Sequence, residues 1–320
     1  MTQPRIATFA RLANGNYAPK RVIEGQATRL GRTIHGLAYD PVHDEIVVPN
    51  PQAAAVLVFR GGASGAEPPV RTIQGPKTKL VYPHTVNVDL KNHEIVVGDP
   101  GGRQVLIFPW DANGDVAPLR IIQGPRTTIG YMVGVAVDPV TDSIYVGSGS
   151  YQRVGILVFN RLDNGDVAPR TAIEGPDTGI TGVPWQIQSY PEKGLIFVGA
   201  ANIDYRRLYQ VDKPVERPGK GVGTGGITAS PWRSSDQGFI GVWRVTDGGN
   251  AAPRALIKGP ISGLVYPSGV ALNPSCGEVF ASDSVRNGVF TFLVPDFFKE
   301  TKRAPVEFAE PKRSAGARER

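Results

Sequence analysis

The chain has a single cysteine, Cys276, and only two methionines in 320 residues. One thiol cannot close an internal disulfide or furnish a multi-cysteine zinc site, so neither kind of staple is available to this fold. Long apolar runs are missing too: none approaches the roughly 18 residues that a membrane-spanning helix needs. The start, MTQPRIATFARLANG, has no apolar h-region and no small-residue cleavage site. It reads as a cytoplasmic chain, or as one already processed and exported. Sustained helical periodicity is absent, which excludes a helix bundle. Strong charge of one sign is absent from the body as well. The formal charge is +6, and the tail KETKRAPVEFAEPKRSAGARER (299–320) carries seven Lys/Arg against four Glu, half of that excess. A polar, mixed-charge terminus reads as a basic, flexible tail, and without interleaved aromatics nucleic acid is a disfavoured partner.

Glycine and proline are abundant, with 39 and 28 residues, between short Val/Ile/Phe/Tyr runs. Such runs, punctuated by NG, GG and DP, are the pattern of an all-β protein. The runs also repeat. IATFARLANGNYAPKRVIEG, VLVFRGGASGAEPPVRTIQG, VLIFPWDANGDVAPLRIIQG, ILVFNRLDNGDVAPRTAIEG and IGVWRVTDGGNAAPRALIKG follow one template, closing on Gly25, Gly75, Gly124, Gly175 and Gly259. The intervals are 50, 49, 51 and 84 residues. A second template lies between them: HGLAYDPVHDEIVVPN, HTVNVDLKNHEIVVGD, VGVAVDPVTDSIYVGS, WQIQSYPEKGLIFVGA and SGVALNPSCGEVFASD. Two hairpins per period make a four-stranded sheet, and such sheets repeated about an axis make a β-propeller.

The second template, best seen in VGVAVDPVTDSIYVGS and YPSGVALNPSCGEVFASD, resembles that of the NHL-repeat propellers and covers residues 5–295. The resemblance implies architecture. It leaves function open, because relatives of this kind include protein- and RNA-binding modules as well as lactonase-like and lyase-type enzymes. Counting inner pairs predicts five blades, with the N-terminal strands joining the last blade to close the ring, although similar propellers more often have six. Residues 1–298 then form one propeller domain. A further outer segment, VFTFLVPDFFKETKRAPVEF, is left over, and its free edge could pair with a second copy of the chain.

With strands lettered a to d outward from the axis, the d–a and b–c connections share one face. The residues leading into the inner strands align there as His35, His84, Val133, Trp185 and Ser268, a ring at the channel mouth. The b-strand ends add Asn50, Asp99, Ser148, Asn202 and Asp283. Imidazoles beside carboxylates or amides can serve as general acid or base, or as ligands of a divalent metal ion. The candidate set for that chemistry is His35, His84, Asp99 and Asn50. The lyase-type resemblance implies a histidine-rich zinc site and the lactonase type an acidic and amide calcium site; this sequence matches neither in full. The long interval places an insertion, residues 200–239, on the same face. Its Tyr205, Arg206, Arg207, Tyr209 and Trp232 have the aromatic and arginine content of binding surfaces. With Trp185, Asn202 and Asp283 they are the candidate binding residues.

Two functions follow as expectations. One is a noncatalytic binding or assembly scaffold, most readily for a protein partner or else a small molecule, acting through this face and the insertion. The alternative is a lactonase- or lyase-like hydrolytic enzyme at the channel mouth. On the opposite face His43, His93, Cys276 and the NGD turns read as structural. The copies of DANGD include LANGN, GASGA and TDGGN, which keep the turn glycine but lose the carboxylates that a calcium loop requires.

Overall fold

The computed structural model describes residues 4–149, 153–201 and 238–299. The chain opens with a hairpin, β1 (Arg5–Thr8) and β2 (Arg21–Glu24). Five sheets follow. The first holds β3 (Ala38–Asp40), β4 (Glu45–Asn50), β5 (Ala55–Arg60) and β6 (Arg71–Gln74). The second holds β7 (Thr85–Asp89), β8 (Glu94–Asp99), β9 (Gln104–Pro109) and β10 (Arg120–Gln123). The third runs β11 (Tyr131–Asp138), β12 (Ser143–Gly149), β13 (Val154–Asn160), β14 (Thr171–Glu174). The fourth runs β15 (Pro184–Tyr190), β16 (Leu195–Ala201), β17 (Gly238–Arg244), β18 (Ala255–Lys258). The fifth has β19 (Pro267–Asn273), β20 (Glu278–Asp283) and β21 (Gly288–Leu293). Neighbouring strands pair antiparallel in chain order, so the protein is the expected five-bladed β-propeller.

The recurring text explains itself in this frame. Each closing glycine adopts a positive φ, from 98° to 136°, which a side chain would strain. Its carbonyl then accepts a hydroxyl bond three residues on, from Thr28, Thr78, Thr127, Thr178 or Ser262, at 2.6–2.7 Å. One turn is therefore made five times, written G-P-x-T in three copies and GQAT and GPIS in the first and last. The NGD turn fastens one blade to the previous one. Gly65, Gly114, Gly165 and Gly249 each bridge in parallel to the outer strand before them, at Ile23, Ile73, Ile122 and Ile173. Asp115 accepts the Lys77 N–H and Asp166 the Arg126 N–H, both at 2.7 Å. Asn250 does the same for Asp177. The polar residue after the glycine thus caps a turn on the neighbouring blade.

Four blade-to-blade gaps are filled by apolar side chains. Val47, Val56 and Val58 meet Ile95, Val97, Leu106 and Phe108 between the first two blades. Equivalent clusters join the second to the third, the third to the fourth and the fourth to the fifth. A fully buried Phe or Ile contributes roughly 1.5–3 kcal/mol, so these gaps are the main source of stability. Glu94 sits across one of them, accepting from Arg120 of its own blade and from Arg161 of the next.

The closure differs in detail from the one expected. The N-terminal hairpin does stand between the last and first blades, bridged at Ile23 to Gly65 and in contact with Glu278 through the Arg11 guanidinium. Its strands, however, pair only with each other, because the edge of β20 is taken by β21. Two copies of the third-strand template compete for one edge, and the C-terminal copy holds it.

Candidate functional site

The channel mouth is assembled from short loops that lead into the inner strands. On three blades the ladder skips a residue at this point, between Met132 and Gly134, Pro184 and Gln186, and Pro267 and Gly269. The skipped residues are Val133, Trp185 and Ser268, members of the ring expected from the sequence. A β-bulge re-aims the side chain at the skipped position.

Three of the ring residues meet. The His35 and His84 imidazoles stack with centroids 4.0 Å apart and planes 16° from parallel. Trp185 lies 5.8 Å from His35 and 6.0 Å from His84. Tyr266 packs on Trp185 at 5.1 Å, while Tyr82 and Tyr131 each stand 6.4 Å from His84. Val133, Val183 and Ala201 complete the apolar side. Ser268 is not part of the aromatic set and takes a hydrogen bond from the Ser284 hydroxyl.

Burial sets the electrostatics. His84 is 2% exposed, and desolvation, helped by the neighbouring His35, lowers its pKa to about 3. His35 keeps one side open to solvent, yet the protein packed about it also lowers its pKa through desolvation. Both are neutral imidazoles near pH 7. Of the nine buried side-chain polar atoms without a partner among the described residues, three lie at this mouth: Nδ1 of His84, Oγ1 of Thr85 and Nε1 of Trp185. Buried polar groups are nearly always satisfied, so these three atoms are free to take hydrogen bonds from a bound group or water.

The b-strand ends do different work. Asp99 accepts the Val81, Tyr82 and Gly102 N–H groups and the Gln104 amide. Asp283 accepts the N–H groups of Val265, Tyr266, Val285 and Arg286. Asn50 accepts from Gly31 and donates to the Arg29 carbonyl, and Ser148 accepts from Gly130. These side chains shape the loops that carry the ring. The fourth-blade position equivalent to them is Ala200, which faces Pro184 as Ser148 faces Met132. Asn202 lies outside the described residues, as do Tyr205, Arg206, Arg207, Tyr209 and Trp232.

Metal binding through the histidine pair would need lone pairs that converge. An imidazole binds a metal in its own plane, and two nearly parallel rings direct their lone pairs along separate planes. Asp99 and Asn50 are already committed to backbone groups. Among the described residues no cluster of three His, Cys, Asp or Glu side chains is gathered to hold an ion.

The sequence missed Tyr82, Tyr131, Tyr266 and Thr85. A signal existed for two of them: LVYPHT and LVYPSG repeat the same loop before β7 and β19. On the opposite face, His43 bonds the Asp40 carboxylate at 2.7 Å and stacks on Trp110 at 3.7 Å. Burial alone would raise the Asp40 pKa, but the His43 ring and the His43 and Val42 N–H groups hold it below the usual value. Cys276 is exposed in a turn. No protein-family model and no curated protein matches the chain.

Proposed function

We propose that the protein is a noncatalytic propeller, a binding or assembly scaffold that engages a protein partner through the channel-mouth face, with the 200–239 insertion contributing to the same surface. The observation that carries it is the aromatic mouth, where His84, Thr85 and Trp185 present unpartnered polar atoms beside the exposed ring of Tyr131. Aromatic groups with hydrogen-bonding tips are the usual anchors of an interface.

The hydrolytic alternative fits these residues less well. A base with a pKa of about 3 has lost most of its power to take a proton near neutral pH, and Asp99 and Asn50 face backbone groups. The two readings part in one experiment. Wild type and the His84→Gln, Trp185→Phe and Tyr131→Ala variants are used as baits and, separately, assayed against lactones and esters. A scaffold loses the same partner in all three variants and turns over nothing. Partner recovery that ignores every substitution, or hydrolysis abolished by His84→Gln, overturns the proposal.

A further inference from the structure

The first and last blades do not close on each other as the other pairs do. In the four filled gaps, the residues of the inner strand that face the preceding blade are buried, as Val86, Val135, Ile187 and Val270 are. Their counterpart on the first blade, Leu37, is 46% exposed, and Tyr39 two residues on is 51% exposed. Across the seam, the side of the fifth blade that faces forward carries Phe280, half-buried, and Val289 and Leu293, 66% and 72% exposed. Among the described residues no apolar cluster joins the two blades, and the N-terminal hairpin packs Ile6 and Ile23 into the first.

The hairpin itself is half a blade. β1 and β2 match the paired third and fourth strands elsewhere, with Ile6 opposite Ile23 as Val105 is opposite Ile122. Phe9 corresponds to Phe59, Phe108, Phe159 and Trp243, which are fully buried, but Phe9 is 48% exposed. Every other third strand but β21 lies between a second and a fourth strand; β1 has a partner on one edge only. A free strand edge flanked by two bare apolar walls is missing an inner pair of strands, the part that covers Phe108 on the second blade.

We propose that this seam is a receptor slot for a β-hairpin of a partner protein, whose one strand adds antiparallel to the free edge of β1. Its side chains cover Leu37 and Tyr39 on one side and Phe9, Phe280, Val289 and Leu293 on the other. Strand addition of this kind takes affinity from main-chain bonds and specificity from the alternate side chains. Because both faces are covered, the centres of the incoming strands are apolar, as Ile95, Val96 and Val97 are in the second blade. Among the described residues all five inner pairs are already in blades. Its 299–320 stretch offers only Val306 and Phe308 as large apolar residues, between prolines. The slot is separate from the channel mouth and does not depend on its role.

The test uses the full-length chain and a labelled peptide of residues 84–99, HTVNVDLKNHEIVVGD, which carries the inner pair of the second blade. Saturable binding, absent for a scrambled peptide, is expected, with slowed amide exchange at Arg5–Thr8. Phe9→Asp on the hairpin and Leu293→Asp on the facing wall each weaken it by about tenfold or more. Phe9 is half exposed and Leu293 largely so, and neither belongs to an apolar cluster joining the blades, so the variants keep a melting temperature close to wild type, and His84→Gln leaves peptide binding unchanged. Failure to bind, binding equal to that of the scrambled peptide, or exchange at Arg5–Thr8 already slow without peptide overturns the proposal. So does a two-copy species in light scattering that Phe9→Asp abolishes, since the occupant is then a second copy of this chain.

Discussion

Acid should destabilise this protein through one buried imidazole. The folded state holds the His84 pKa at about 3, against an ordinary value of 6.5. Between those values the unfolded chain carries a proton on this residue that the folded chain refuses. The contribution is therefore complete above the ordinary value and is lost progressively as the pH falls toward 3. From about pH 7 to about pH 4.5 the loss from this residue amounts to roughly 2.5 kcal/mol, at about 1.4 kcal/mol for each pH unit below the ordinary value. Carboxylates titrate over part of the same range, so the measurement is a comparison with His84→Gln, which keeps every other group. Chemical denaturation followed by tryptophan fluorescence gives both stabilities across the range. At neutral pH the variant carries a constant offset from altered packing. As the pH falls, the stability of the variant relative to wild type should rise by about 2–3 kcal/mol. A difference that stays flat to within about 0.5 kcal/mol would show that His84 titrates normally and that the mouth is wetter than its burial implies.

Further outcomes follow from the same structure. Asp283→Ala removes the acceptor of four backbone N–H groups, and should lower stability by about 2–4 kcal/mol while loosening Tyr266 on Trp185, read as a change in near-ultraviolet dichroism. Trp243 donates its Nε1–H to the Ala251 carbonyl, whereas Trp185 Nε1 has no partner among the described residues. Trp243→Phe should accordingly cost about 1–2 kcal/mol in thermal unfolding and Trp185→Phe about 1 kcal/mol less; equal losses would contradict this assignment. Because Asp115 and Asp166 cap turns, neither calcium nor a chelator should shift the melting temperature, and a calcium-dependent rise would restore the calcium reading of the NGD loops.

Much of this architecture was legible beforehand. The spacing of Gly25, Gly75, Gly124 and Gly175 defines the blades because a glycine with positive φ is needed at one place in each repeat. The alignment of His35, His84 and Trp185 identified the mouth, since equivalent positions in a rotational repeat converge on the axis. The b-strand residues Asp99 and Asn50 are ambiguous in sequence for a related reason: a turn cap and a metal ligand use the same side chains. Only the loop geometry shows Asp99 and Asp283 accepting backbone bonds.

The sequence by itself determined the blade, its repeat and the face on which the ring lies, because those depend on local patterns of turn residues and alternating apolar side chains. Tertiary structure decided what the repeats cannot encode one at a time. Whether His35 stacks on His84, how far burial suppresses the charge of His84, and which third-strand copy takes the edge of β20 all depend on groups distant in the chain. The seam is the clearest case. Leu37 and Phe9 read as core positions in the repeat, and they are exposed because burial requires a neighbour that the local text does not specify.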